Sequence, residues 1–301
     1  MRRVVGAVMA AAAACGGSNF ERPQFDGAAA LRYVETQLAF GPRIPNTEGH
    51  RQAGDWILAQ LGASADSVEV QEFTHVTTAG DTLRLRNFIG RFRPAMRERV
   101  LYVAHWDTRP RADRSGNLGA QRQPVPGAND GASGVALLLG VADALEREPP
   151  AFGVDLVFVD GEDYGDFSDN RDVLLGSRYY AASLDRAALP LFAVVWDMIG
   201  DRDLDLYQEG YSVAEAPEVV DRVWSRAADL GYGRVFRSSV RHTVIDDHVP
   251  LQEVGVRAID VIDFDYGGRD NPYWHTIEDT LDKVSAESLQ IVGEVALALL
   301  R

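Results

Sequence analysis

Val154-Asp155-Leu156-Val157-Phe158-Val159-Asp160-Gly161-Glu162-Asp163-Tyr164-Gly165 sets a short apolar run directly before a glycine turn and two adjacent acids. Such a run, rich in β-branched and aromatic residues and closed by Gly, predicts a strand buried on both faces. Working outward, Val100 to Ala104, Phe192 to Trp196 and Ala258 to Ile262 repeat the pattern. Helical segments separate them: Gly134 to Leu145, Leu175 to Leu184, Val219 to Leu230 and a closing Ser285 to Leu300. Strands alternating with helices predict an α/β fold, a single three-layer αβα domain around a mixed, mostly parallel central sheet. Before the alternation begins, Asp26 to Leu38 and Thr47 to Leu61 read as helices, parted by the breaker Phe40-Gly41-Pro42-Arg43-Ile44-Pro45. Ser67 to Val76 and Thr82 to Phe92 read as further strands. No repeat and no long linker divides residues 25–301, which are expected to form one catalytic domain.

The composition narrows the class. The chain has 301 residues, 46% hydrophobic, with 45 acidic and 30 basic side chains for a formal charge of -15. That balance argues against a nucleic-acid partner, which needs clustered Lys and Arg. It suits a metal cation or a substrate with a free amine, although most of the acids simply solvate the surface.

The beginning reads as a targeting segment. Arg2 and Arg3 precede an uncharged run, Val4 to Ala14, too short to span a bilayer. Residues 1–15 are expected to be a secretory or lipoprotein signal, and residues 16–24 a tether. The single cysteine, Cys15, excludes an intrachain disulfide. Its setting, Ala13-Ala14-Cys15-Gly16-Gly17, resembles a bacterial lipid-attachment site, with Ala12 where Leu is usual. The expectation is an exported protein, periplasmic or lipid-anchored at the cell envelope through Cys15.

Chemistry-bearing residues gather at strand ends. His105-Trp106-Asp107 follows one strand, Glu162-Asp163 another, and Asp197 a third. In open α/β sheets, sites form at the carboxyl ends of strands. Asp130 lies in Gly127-Ala128-Asn129-Asp130-Gly131-Ala132-Ser133-Gly134 before a helix, and His275 lies in Tyr273-Trp274-His275-Thr276. Singly, Asp130 reads as a turn residue, Glu162-Asp163 as a solvated strand end and His275 as a surface histidine. Jointly, Asp130, Asp163 and His275 offer the three N and O ligands of a catalytic zinc with an open position. Glu162, beside a ligand without being one, is placed to move protons. His50, His75 and His242 fit no metal spacing and read as surface or loop residues.

These blocks, with Phe40-Gly41-Pro42-Arg43, Leu175-Gly176-Ser177, Asp197-Met198-Ile199-Gly200 and Asp246-Asp247-His248-Val249-Pro250, resemble the zinc-dependent glutaminyl cyclases and the related bacterial leucyl-type aminopeptidases. The likeness runs from Phe40 to the C-terminus and implies a zinc aminopeptidase-like fold. It implies Asp130, Asp163 and His275 as zinc ligands and Glu162 as the proton-transfer residue. His105 and Asp197 would complete a second zinc site in an aminopeptidase, with Asp107 orienting His105. Asp246 is the discriminator: aminopeptidase relatives usually carry Ser there, and cyclases Asp. The resemblance implies that Asp246 joins Glu162 and Asp197 in a hydrogen-bond network, and that Trp274 packs on the substrate. Taken alone, Asp246 also suits a helix N-cap. Asp247 and His248 read as supporting residues. Asp163 stands where animal cyclases have Glu, one methylene longer. The expected reaction is cyclisation of N-terminal glutamine to pyroglutamate with one zinc; the alternative is aminopeptidase hydrolysis with two. Partners would be peptides with a free N-terminus, and a monomer is expected.

Overall fold

The computed structural model describes residues 22–301. The signal, Cys15 and most of the tether lie outside the described residues. Helix α1 (Gly27–Ala39) starts at Asp26, whose carboxylate accepts the Ala29 N–H at 2.8 Å. Helix α2 (Glu48–Ser64) starts at Thr47, whose hydroxyl accepts the His50 N–H at 3.3 Å. Both caps satisfy a donor that a helix start leaves free. The chain then forms an antiparallel hairpin, β1 (Ser67–Val76) and β2 (Thr82–Phe92).

The remaining elements run β3 (Arg99–His105), α3 (Ala132–Arg147), β4 (Gly153–Val159), α4 (Leu175–Ser183), β5 (Phe192–Asp197), β6 (Leu206–Gln208), α5 (Gly210–Glu215), α6 (Pro217–Asp229), β7 (Phe236–Val240), α7 (His248–Glu253), β8 (Ala258–Ile262) and α8 (Ala286–Ala298). The main sheet has six strands in the order β1-β2-β4-β3-β5-β8. Strands β4, β3, β5 and β8 are mutually parallel, and β2 joins β4 antiparallel. Short β6 and β7 pair parallel in a small second sheet. The sheet is therefore mixed and mostly parallel, its parallel part being the alternating strands and its antiparallel part the β1–β2 hairpin.

Period-two side-chain alternation sorts the core into two layers. Val100, Tyr102 and Ala104 of β3, with Val194 and Trp196 of β5, meet α1, α2, α3 and α8 on one face. Leu101, Val103, Val157, Val159 and Val195 face the other way, toward α4 and α7. Each fully buried aliphatic chain contributes about 1.5–3 kcal/mol by leaving water. Close approach matters at Gly134 of α3, where a Cβ would lie 2.3 Å from the Trp196 carbonyl oxygen. The glycine lets α3 rest on β5 and carries the Asp130 loop to the strand ends.

Candidate metal centre and active site

The parallel strands all point their carboxyl ends at one edge, and there the acids and imidazoles converge. His105 ends β3, Asp197 ends β5, and Glu162-Asp163 follow the Gly161 turn after β4. Gly161 has φ +71°, a conformation that favours glycine. Asp130 comes from the loop before α3 and His275 from the loop between β8 and α8.

Asp130, Asp163 and His275 bring one ligand atom each within 4.8 Å of one another. His105, Asp130 and Asp197 do the same, so Asp130 belongs to both groups. One Asp130 oxygen lies 3.1 Å from His105 Nε2 and the other 3.6 Å from His275 Nε2. His275 Nε2 lies 3.2 Å from Asp163 Oδ1, and His105 Nε2 lies 3.2 Å from Asp197 Oδ1. All five residues are buried.

A surrounding frame fixes these groups. Asp107 accepts the backbone N–H of Glu162 at 3.0 Å and of Asp163 at 3.2 Å. Its Oδ1 stands 3.6 Å from His105 Nδ1, outside hydrogen-bond range. Asp107 thus holds the strand end bearing the two acids and stands beside the His105 imidazole as well. Arg109 donates to Asp163 Oδ1 at 2.7 Å. Asp279 accepts the N–H groups of Asn129 and Asp130, and the Tyr266 hydroxyl at 2.7 Å. Arg43, wholly buried, donates to the carbonyls of Trp106 at 3.0 Å and Gly127 at 2.7 Å. Gly131 leaves room for the His105 ring: a Cβ would sit 2.6 Å from its Cε1.

The donors fit a divalent cation. Asp163 Oδ2 is buried without a partner, and an orphaned carboxylate oxygen is costly unless something positive meets it. Burial pushes the Asp130 carboxyl up, and nearby Asp163 and Asp197 add to the rise. Burial also pushes Asp163 up, but His275 and Arg109 outweigh it and hold that carboxyl below its usual range. Two carboxylates and an imidazole, borderline N and O donors, suit zinc. Glu162 is driven well above the ordinary carboxylate range by burial, with Asp163, Asp246 and Asp247 adding repulsion. That elevation makes it competent to carry a proton.

A pocket of about 240 Å³ opens above these groups, lined by Asp130, Glu162, Asp197, Asp246, Trp274 and His275. Its apolar wall comes from Phe167, Val244, Ile245, Ile262 and Phe264. Trp274 stacks on His275 with centroids 3.8 Å apart, and Phe264 meets Trp274 edge-on at 4.9 Å. The volume lies under the 300–1,000 Å³ common for drug-sized ligands, so it suits one amino-acid side chain.

Asp246 is buried in this wall, and its Oδ1 accepts the Asp247 N–H. The helix cap position falls on Asp247, without a side-chain cap bond, so Asp246 is not a cap. Asp246 shares the pocket wall with Glu162 and Asp197, close enough that its charge acts on Glu162 and that of Asp197 acts on it. Asp197 Oδ1 accepts the Met198 N–H at 2.9 Å. Burial, then Asp197 and Asp247, push the Asp246 carboxyl well above its usual range.

Several residues escaped sequence reasoning. His50 is 4% exposed rather than superficial: its Nε2 lies 2.9 Å from Asp160, and its ring stacks on Trp106 at 4.2 Å. His75 pairs with Asp172 and His242 with Asp265, both half-buried. Asp260, central in β8, is fully buried with neither carboxylate oxygen partnered. The pocket walls Phe167 and Phe264 lie in irregular segments, where no periodicity marks them.

A model of peptidase family M28 matches residues 87–300. A glutaminyl cyclase structure from Bacteroides thetaiotaomicron, bound to N-acetylhistamine, superimposes with a TM-score of 0.89 and 35% identity, covering 93% of this chain and 99% of that one. Tannerella forsythia glutaminyl cyclase gives 0.87 and 37% identity, covering 92% and 99%. Aminopeptidase YwaD of Bacillus subtilis is 25% identical over 294 residues, 90% of this chain and 56% of that protein. The chain spans about half the length of the first curated relatives it matches.

Proposed function

Since this chain belongs to peptidase family M28, we propose that it cyclises the N-terminal glutamine of peptides to pyroglutamate and releases ammonia. One observation carries the reading: a pocket sized for one side chain, walled by Phe167, Phe264 and Trp274, with Glu162 and Asp246 at its polar end. Glutaminyl cyclases among its structural relatives support it.

Asp130, Asp163 and His275 would hold a single zinc, which when bound polarises the γ-carboxamide carbonyl. The protein's own groups do the rest. The aromatic walls hold the side chain folded back, so that the α-amine nitrogen meets the γ-carboxamide carbon, a proximity gain. The new C–N bond closes the ring as the old C–NH2 bond breaks. Glu162 takes a proton from the attacking amine and delivers it to the departing nitrogen, which leaves as ammonia. Asp246, with Asp163, crowds Glu162 and favours its protonated form between the two transfers, while Asp197 acts in turn on Asp246.

A second reading, hydrolysis of the first peptide bond by an aminopeptidase, has its own support in the His105, Asp130 and Asp197 group, which could hold a second zinc. Parallel assays of Gln-initiated peptides and a Leu-anilide, with zinc counted on the same sample, separate them. Ammonia from the former, no cleavage of the latter and one zinc per chain are expected. Two zincs with anilide cleavage would reverse the assignment. The apolar leader and Cys15 support action outside the cytoplasm on exported peptides or proteins.

A further inference from the structure

Past Trp274 and Phe264, which both clefts share, the small pocket adjoins a wider one of about 640 Å³. Its wall is cationic. Arg114, Arg241, His242 and Arg269 line it, against Asp265 and Asp270. The positive side is notable on a chain whose formal charge is -15.

The positions of the arginines are tied to the pocket itself. Arg114 donates its backbone N–H to the His275 carbonyl at 3.1 Å, and its guanidinium lies 5.0 Å from the Trp274 ring centroid. His242 meets the Phe264 ring edge-on at 5.4 Å. Arg241 is neutralised by Asp265 at 2.7 Å, and His242 shares that carboxylate at 3.2 Å. Arg114 and Arg269 are exposed, and neither has a carboxylate within 4.0 Å among the described residues. Asp270, also exposed, borders the same rim. Two guanidiniums are thus left without a carboxylate partner in the wall of the wider cleft, that of Arg114 beside the Trp274 that both clefts share.

A peptide with its first side chain in the small pocket must lead its following residues out through the opening. An extended chain advances about 3.3–3.6 Å per residue, so the next residues enter the wider cleft. We infer that this cleft binds the two or three residues after the N-terminal glutamine and selects peptides carrying Asp or Glu there. Guanidinium groups recognise carboxylates through forked, charge-assisted hydrogen bonds. The inference deepens the cyclase reading and rests on it.

The test compares Gln-Ala-Glu-Ala, Gln-Ala-Ala-Ala and Gln-Ala-Lys-Ala, all C-terminally amidated, on the zinc-loaded enzyme. The expected KM for the Glu peptide is roughly fivefold below that for the Lys peptide, the size one or two half-exposed ion pairs can give. The gap shrinks in about 0.5 M salt as screening grows. The double variant Arg114→Glu/Arg269→Glu inverts the order, and Arg114→Lys/Arg269→Lys retains it. Equal KM values on the wild-type enzyme, or an order that survives charge reversal, overturns the inference. If no peptide is cyclised, the cyclase reading falls instead. Calorimetry of the same three peptides on zinc-loaded Glu162→Gln protein then still decides the charge preference, tighter Glu-peptide binding supporting it and equal binding refuting it.

Discussion

Two carboxylates that are neighbours in sequence do different work at the residue scale. Asp163 is pinned by Arg109 and keeps one oxygen unpartnered, whereas Glu162 stands next to it with its carboxyl pushed far up by burial. Glu162→Gln removes the proton carrier and leaves the ligand set intact. Turnover should fall roughly 10²- to 10⁴-fold, with zinc content unchanged by metal analysis. Loss of zinc along with activity would mean that Glu162 is itself a ligand. Asp163→Asn is the converse: it leaves Arg109 buried against an uncharged amide and should lose both metal and activity.

At the scale of elements, the loop of residues 243–246 forms one wall of the pocket, and Glu209 holds it. Glu209 caps α5: it accepts the N–H groups of Tyr211 at 2.8 Å and Ser212 at 2.7 Å, and that of Val244 at 3.0 Å. His248 Nε2 stands 3.3 Å from its other side. Burial pushes this carboxyl up, but His248 and the Ser212 bonds prevail and hold it at about 2 against an ordinary 4.5. A carboxyl so lowered stabilises the fold fully above its unfolded value. The contribution fades as pH falls from about 4.5 toward 2. By linkage it amounts to about 3 kcal/mol at neutral pH. Glu209→Gln should lower unfolding free energy by that order at pH 7, measured by urea titration, and the gap should close near the acid end. A gap independent of pH would show packing rather than charge at work.

The same scale shows what a sequence reader can and cannot see. The buried strands were legible because β-branched runs ended by Gly or acid have few alternatives, and β3, β4, β5 and β8 lie where those runs lie. Strands β6 and β7 were not: one has three residues, and the other exposes four of its five. The candidate ligands were legible as acids and imidazoles at strand ends and in the loops that open helices, and they come together here. The frame behind them was not, since nothing local says that Asp107 would spend both oxygens on backbone N–H groups, or that His50 would be enclosed against Trp106. Those are long-range contacts without a period.

On the scale of the whole molecule, the candidate centre gathers Asp130, Asp163, Asp197 and Glu162 into a buried space opposed mainly by two imidazoles and Arg109. A bound dication relieves that repulsion only in the folded chain, because the ligands meet only there. Removing the metal with a chelator should lower stability by about 4 kcal/mol under conditions where free zinc had stood at a thousand times its dissociation constant. For a chain of this size that is roughly a 6 °C loss in melting temperature, restored by adding zinc back. An unchanged melting curve, with metal loss confirmed, would show that protons replace the ion without cost.

Arg43 sets the smallest piece of chain that can work. The family match begins at residue 87, yet the guanidinium that closes over the Trp106 and Gly127 carbonyls arrives from the stretch between α1 and α2. A polypeptide started at the family boundary would keep every proposed ligand while leaving those carbonyls unanswered beneath the Asp130 loop. The catalytic unit therefore extends back to the first helices, and a trimmed version ought to need Arg43 supplied on a separate fragment before its metal loop takes shape.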